Sequence, residues 1–283
     1  MAAGTLRAGA LVVPASLFVV VALLLPLGLL FRYSLNAFVP GQFMVEALTA
    51  ASYVKFFTDP FYLAILWRTV RIAALVTLIC LITGFPLAYV LARTQSRAKS
   101  LLIIAVVLPL FVGNAVRAAG WMVAFGAKGA VNASLMGLGL IGRPIDIMFT
   151  ETAVVIGITA VNLPFMVLSL QSVIESIDRS VEEAAFNMGA SPAAMLRHVL
   201  LPLAMPGILA GCILTFILGM NAYATPVLLG GPRFQTMGPL VYGQFIEQNN
   251  WPFGGAIAFI LMAATLLLTT LSHILVQRRM RRG

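Results

Sequence analysis

Hydrophobic and polar positions divide the chain into six long apolar stretches separated by short polar intervals. The stretches run roughly over residues 9–31, 69–91, 101–125, 152–174, 203–229 and 253–276. About 20 apolar residues in a helix cross a hydrocarbon core of about 30 Å. None of the stretches alternates as a barrel strand would, and lipid leaves backbone polar groups no partner outside the segment, so each predicts a helix. The expected fold is all-α, a six-helix transmembrane bundle. Residues 1–68 hold the first helix and a long loop, 69–276 the main transmembrane domain, and 277–283 a basic tail.

Between the fourth and fifth stretches the pattern changes. The segment 175–202 contains a polar island, Glu182 to Pro202, that reads EEAAFNMGASPAAMLRHVLLP. Ser180 precedes Glu183 by three residues, the spacing of a capping box at a helix start. The helix it begins presents Val181, Ala184, Ala185 and Met188 as a thin apolar face. Gly189 stops the helix, because glycine tolerates a left-handed helix end, and Ser191 with Pro192 supplies an N-cap and first-turn residue for a second short helix ending at Pro202. Such a hairpin is too short and too polar to span a bilayer, so its exposed face belongs to a partner.

The spacing Glu183-Ala184-Ala185, Gly189, Val199-x-Leu201-Pro202 resembles the cytoplasmic loop of permease subunits of binding-protein-dependent ABC importers, with Val199 where the family usually has isoleucine. The resemblance implies that Glu183, Ala184 and Gly189 sit in a cleft of a separate ATP-hydrolysing subunit. The flanking Ser180, Glu182, Ala185, Met188, Ser191 and Pro192 complete the expected ATPase-coupling segment.

Four further runs carry the resemblance over nearly the whole chain. Pro144-Ile145-Asp146-Ile147-Met148-Phe149-Thr150, Leu163-Pro164-Phe165-Met166, Met205-Pro206-Gly207-Ile208-Leu209-Ala210-Gly211-Cys212 and Trp251-Pro252-Phe253-Gly254 are similar to the spermidine/putrescine importer permeases. That likeness implies a permease of the methionine-importer-like type I fold. It further implies a second related permease, two ATP-binding subunits and an extracytoplasmic solute-binding protein. ATP and Mg would be bound by the partner ATPase, with no cofactor in this chain and no catalysis of its own. The implied place is the bacterial inner membrane. One departure concerns the ligand: a polyamine path is expected to offer carboxylates and aromatics, yet 219–226 offers Asn221, Tyr223 and Thr225 and no acid. Either the second permease supplies the acid, or the cargo is another small amine, an amino-acid derivative, an opine or an aminophosphonate.

Composition agrees with a membrane protein. Hydrophobic residues make up 61% of 283 and charged residues 10%, with mean hydropathy +1.01, against about 25% charged in soluble domains. Arginine and lysine set the orientation. With both termini cytoplasmic, Arg7, Arg93, Arg97, Lys99, Arg179, Arg197, Arg278, Arg279, Arg281 and Arg282 lie inside and outnumber Arg32, Lys55, Lys128, Arg143 and Arg233 outside. Arg68 and Arg71 at the outer end of the second stretch and Arg117 in the third dilute the bias without reversing it. The net charge of +9 is thus mostly topological, and no basic stripe interleaved with aromatics points to nucleic acid. Membrane lipid, through anionic headgroups, is the expected counterpart of the arginine-rich tail.

Cys80 and Cys212 lie within apolar stretches as small hydrophobes, not a disulfide framework. The first stretch is longer than a signal-peptide core and no small-residue cleavage site follows, so it is expected to remain as a helix. The loop 32–68 carries a turn at Pro40-Gly41 and a weakly amphipathic run, 48–57, expected along the outer surface. The glycine-rich segment 126–151 is expected to dip back over the helices.

No GxxxxGK[ST] phosphate loop occurs, so ATP binding falls to another subunit. His198 and His273 stand alone and read as structural rather than metal-binding. Polar residues inside the stretches, namely Asn114, Arg117, Asn162, Asn221, Tyr223 and Thr225, are costly against lipid. They either line a substrate path or form interhelical hydrogen bonds. Arg117 needs an interface, carbonyls or a carboxylate, and otherwise a substrate anion or a gating ion pair. Pro86, Pro109, Pro164, Pro206 and Pro226 interrupt stretches and permit bends. The mechanism expected is alternating access, driven by ATP through the Glu183 hairpin as a lever. A secondary transporter would need intramembrane acids, and a membrane enzyme or sensor would need a catalytic cluster or signalling domain; neither signature is present.

Overall fold

The computed structural model describes residues 2–96 and 98–280, with side chains left aside at 2–12, 15, 43 and 275–280. Arg97, the tail residues Arg281 and Arg282, and the side chains of Arg7, Arg278 and Arg279 therefore lie outside the described residues. In chain order the elements are helix α1 (Ala2–Ser34), strands β1 (Ala37–Val39) and β2 (Phe43–Val45), and helices α2 (Ala51–Thr58), α3 (Pro60–Arg93), α4 (Ala98–Val107), α5 (Asn114–Phe125), α6 (Ala130–Gly137), α7 (Glu151–Ser176), α8 (Arg179–Asn187), α9 (Pro192–Met195), α10 (Leu201–Met220), α11 (Ala224–Gly230), α12 (Met237–Tyr242) and α13 (Trp251–Met280). Among the described residues, five helices are long and apolar enough to cross a membrane, and the bent pair Ala98–Phe111 and Asn114–Gly137 makes a sixth if it is one span.

Two of the expected spans are broken. The third is not one helix over 101–125. It narrows to a 3-10 turn at Leu108–Phe111 and then bends by 100° between Phe111 and Asn114. Pro109 contributes no N–H there, and Val112 and Gly113 adopt extended backbone that ends the ladder. The fifth ends at Met220, and α11 restarts after Tyr223 with Pro226 in its first turn, where a missing N–H is tolerated. By contrast α3, α7 and α10 continue through Pro86, Pro164 and Pro206, so these prolines do not break their helices. The loop after α1 is also more ordered than its sequence suggests. Gly41, at φ +88°, turns β1 back onto β2, with Val39 opposite Phe43, and α2 takes up most of the amphipathic run.

The chain forms two compact units, residues 1–63 with 240–263, and residues 64–239 with 264–283. In the first, Ser34 Oγ lies 2.7 Å from the Tyr53 hydroxyl. Phe31 meets Phe259 edge to face at 5.3 Å, and Tyr62 meets Phe253 at 4.9 Å with the Lys55 ammonium 4.5 Å from the Phe253 ring centre. The second unit has a core of Ile72, Val76 and Cys80 from α3, Val154, Ile158, Met166 and Leu170 from α7, and Ala204 of α10. Small residues let these helices approach closely, as is common where lipid supplies no hydrophobic drive between helices. A Cβ placed on Gly219 of α10 would lie 3.2 Å from the Ala73 Cα of α3. The segment 126–151 is held by buried Asn132, whose amide donates to the carbonyls of Gly126 at 3.1 Å and Ile145 at 3.0 Å and accepts from the Ile145 N–H at 2.8 Å.

Candidate functional site: a helical elbow and a polar cavity

Both candidate sites belong to the second unit. The polar island forms an elbow of α8, a turn and α9. Its N-cap is Asp178 rather than Ser180: the Asp178 carboxylate accepts from the Ser180 N–H at 2.9 Å. The capping box expected from Ser180 and Glu183 is therefore replaced by an aspartate two residues earlier, a stronger acceptor beside the positive helix end. That backbone hydrogen bond holds the Asp178 carboxyl below the usual carboxylate range. Gly189 has φ +84° and ends α8 as anticipated, and Ser191 Oγ accepts from the Ala194 N–H at 3.3 Å ahead of Pro192. The second arm does not stop at Pro202. It passes through a π-turn at Leu196–Leu200 directly into α10, so the elbow is the bent start of a membrane span.

The exposed face of α8 is apolar and small. Ala184 is exposed, Val181 and Met188 are 39% and 88% exposed, and their spacing of three and four residues places them on one side. Ser180, Glu183, Gly189, Ser191 and Pro192 are exposed around it, and Ala185 packs inward against the core. Glu182 departs from the expected set. It is 7% exposed and faces into the protein, where Arg93 Nε donates to Oε1 at 2.9 Å, Arg93 Nη2 donates to the same oxygen, and the Tyr89 hydroxyl donates to Oε2 at 2.9 Å. Its carboxylate is thus turned away from the exposed face of α8.

Asn114, Arg117, Asn162, Asn221, Tyr223 and Thr225 all line one cavity of about 370 Å³, shared by α5, α7, α10, α11 and the break between the last two. The two helix breaks, beside Pro109 and ahead of Pro226, create this site, because they bring Asn114 to the start of α5 and Asn221 and Tyr223 into the gap before α11. Asn162 is buried and donates to the Thr215 carbonyl at 3.2 Å, while the Asn221 amide donates to Ile217 O at 2.9 Å. Arg117 Nη2 donates to Val112 O at 2.8 Å and Asn114 Oδ1 at 3.1 Å, whereas Nε and Nη1 are buried without a hydrogen-bond partner among the described residues. Phe165 and Tyr223 add aromatic wall, and among the described residues no aspartate or glutamate lines the cavity. The chamber therefore has one fixed cation, several neutral dipoles and aromatic surface.

Sequence reading missed Asp178, Tyr89 and the inward role of Arg93. In sequence Arg93 stands only as a topology anchor, and no local spacing links it to a carboxylate 89 residues away. His198 is exposed and its Nδ1 lies 3.1 Å from Ala194 O. Among the described residues no group of three or more His, Cys, Asp or Glu side chains gathers in the manner of a metal site.

Residues 81–282 match the profile of the binding-protein-dependent transport system inner membrane component. The spermidine/putrescine transport system permease protein PotB of Haemophilus influenzae is 34% identical over 242 residues, covering 84% of each chain. Among solved structures, a chain of the bacterial alginate ABC transporter in complex with alginate pentasaccharide-bound periplasmic protein superimposes with TM-score 0.77 at 16% identity, covering 96% of this chain and 94% of the other. A chain of the MetNI methionine ABC transporter in an inward-facing conformation gives TM-score 0.56 at 18% identity, over 78% and 94%. At such identities the structural likeness establishes the fold, that of ABC importer permeases.

Proposed function

The chain belongs to the binding-protein-dependent transport system inner membrane components, and from that premise we propose that it forms half of the substrate path of an ATP-driven polyamine importer. As a permease subunit it performs no chemistry. A separate ATPase, holding ATP and Mg, drives it through the elbow. Its remaining partners are a second related permease, a second ATPase copy and an extracytoplasmic solute-binding protein. Both termini and the elbow face the cytoplasm, in keeping with the arginine and lysine bias.

The observation that carries this reading is the exposed stripe Val181, Ala184 and Met188 on a short helix beside Glu183, capped at both ends. A surface of this kind suits a cleft in another protein, and small Ala184 permits close approach of backbones. ATP-driven closure of the motor would displace the elbow, and because α9 runs into α10, the displacement passes to the helices around the cavity. The polyamine assignment is supported by the similarity to the Haemophilus influenzae permease. Neutral amides and the aromatic rings of Phe165 and Tyr223 can hold an alkylammonium chain by hydrogen bonds and cation–π contact. The counter-charge for a polycation is assigned to the second permease.

Arg117 favours a second reading of the cargo. A fixed cation in a wall without carboxylates suits an amine that also bears an acid, such as an amino-acid derivative, opine or aminophosphonate. The deciding experiment reconstitutes the complete transporter with its binding protein and measures ATP-dependent uptake of labelled spermidine and putrescine beside an aminocarboxylate. Saturable polyamine uptake that stops without ATP is expected. Uptake that continues without ATP would remove the importer reading, and transport of the aminocarboxylate alone would replace the polyamine. At the elbow, Ala184→Arg is expected to retain ATP hydrolysis and lose uptake; normal coupled uptake in that variant would remove the docking role.

A further inference from the structure

The elbow is fastened to the helices in an unusual place. α8 follows directly on α7 and is joined through α9 to α10, yet its buried hydrogen bonds run to α3. The Glu182 carboxylate receives two donors from the Arg93 guanidinium and one from the Tyr89 hydroxyl. The connection is reciprocal, because Arg179 Nη2 donates to the Arg93 carbonyl at the end of α3. Arg93 Nη1 also donates to Ile177 O at 3.1 Å, just beyond α7. One guanidinium therefore gathers the end of α3, the end of α7 and the first turn of α8, with the Arg93 and Glu182 side chains only 14% and 9% exposed.

Burial makes this contact stiff. Charge-assisted hydrogen bonds are stronger than neutral ones, and sequestration from water limits screening. A buried ion pair is poor evidence of stability, since apolar side chains of the same volume often serve as well. Its distinctive consequence is geometric: the hydrogen bonds fix the guanidinium and carboxylate in one arrangement, and removing either partner leaves the other charge buried and unpaired. Further along, α3 packs closely on α7, where a Cβ on Gly84 would lie 3.1 Å from Met166 Cγ. Met166 is one turn from Asn162 on the same face of α7, and Asn162 lines the polar cavity.

We propose that Glu182, Arg93 and Tyr89 form a latch that makes α8 and the C-terminal turn of α3 one rigid lever. A displacement imposed on the elbow then enters the protein through α3 as well as through α7 and α10. Glu182 and Arg93 act as positioning residues, holding the lever rather than touching the ATPase or the cargo. This inference rests on the reading of the elbow as the ATPase contact.

Two measurements on the complete reconstituted transporter test the latch. In a Cys80→Ala, Cys212→Ala background, spin labels on Val90→Cys of α3 and Asn187→Cys of α8 report the separation without nucleotide and in the ATP-trapped state. With the latch in place the separation stays within about 2 Å, below the usual scale of helix shifts in allosteric transitions. Any larger change overturns the proposal, because α8 would then move relative to α3. The second measurement is substrate imported per ATP hydrolysed. Glu182→Gln keeps the shape but removes the charge and one of the two acceptor oxygens that Arg93 and Tyr89 use, and is expected to lower that ratio roughly 2- to 30-fold, with partial recovery in Arg93→Glu combined with Glu182→Arg. A wild-type ratio in Glu182→Gln overturns the latch, and should that variant fail to assemble, the label separation still decides. Failure of the underlying reading looks different: Ala184→Arg would then couple normally. If Ala184→Arg uncouples while the label separation changes, the elbow reading stands and the latch alone falls.

Discussion

Asn162 of α7 donates its side-chain amide to the Thr215 carbonyl of α10 at 3.2 Å, across 53 residues of sequence and with both residues buried. The same asparagine lines the polar cavity, so it joins two helices and forms part of the wall between them. The two roles separate in Asn162→Ala. Interhelical hydrogen bonds in membrane proteins contribute about 0.6 kcal/mol on average and rarely above about 1.7, so thermal unfolding of the assembled transporter should shift only slightly. Uptake should fall by more than that loss explains. A large drop in stability with unimpaired uptake among the surviving molecules would assign Asn162 to packing alone.

Close packing of α10 on α7 gives a second expectation. A Cβ on Gly207 would sit 2.9 Å from Val173 Cβ and 3.3 Å from the Ser169 carbonyl oxygen. Valine is stiff and the carbonyl belongs to a helix, so neither yields easily. Gly207→Ala should therefore destabilise, and Gly207→Val more so, on the scale of overpacked cores, about 1–3 kcal/mol. Gly211→Ala should be milder: its nearest neighbour, Met166 Sδ at 2.6 Å, is the mobile part of a flexible side chain. Thermal unfolding in detergent checks the order.

The Asp178 cap carries a pH dependence with a defined sign. Its carboxyl titrates below the usual range because the Ser180 N–H bonds the charged form. A depressed folded pKa means that the contribution is complete above the ordinary aspartate value of about 3.9 and is lost as pH falls through the folded value. The first turn of α8 should therefore be equally protected at pH 6 and pH 8. Asp178→Ala should speed hydrogen exchange at Ser180 and Val181, while Asp178→Asn, which retains an acceptor, should restore most of the protection. Equal exchange in all three would remove the cap from the account of α8.

Arg117 is the electrostatic test of the cavity. Its charge repels a polycation, and such repulsion is weak through water but substantial at lower effective dielectric. Arg117→Gln should raise initial uptake of spermidine at low ionic strength about twofold or more and flatten its salt dependence. Loss of uptake for an aminocarboxylate in the same variant, with polyamine transport unchanged, would support the second reading of the cargo.

Much of this protein was legible along one dimension. Apolar stretches marked the membrane helices because lipid requires each segment to satisfy its own backbone, which makes the signal local. The elbow was legible for the same reason, since Gly189, Ser191 and Pro192 act on their immediate neighbours. What failed was the competition among local signals. Ser180 and Asp178 are both competent caps and the aspartate prevailed, while Pro109 marked a real break and Pro86, Pro164 and Pro206 did not, although all four look alike in sequence.

Local patterning along the chain was enough for the helices, the elbow, the polar residues that must avoid lipid and the resemblance to importer permeases. Helix packing in three dimensions brings Asn114, Arg117, Asn162, Asn221, Tyr223 and Thr225 to one cavity and turns Glu182 away from the exposed stripe toward Arg93. Both outcomes depend on where helices stop and which faces meet. Those are settled by packing among residues far apart in the chain, and hydropathy carries no record of them.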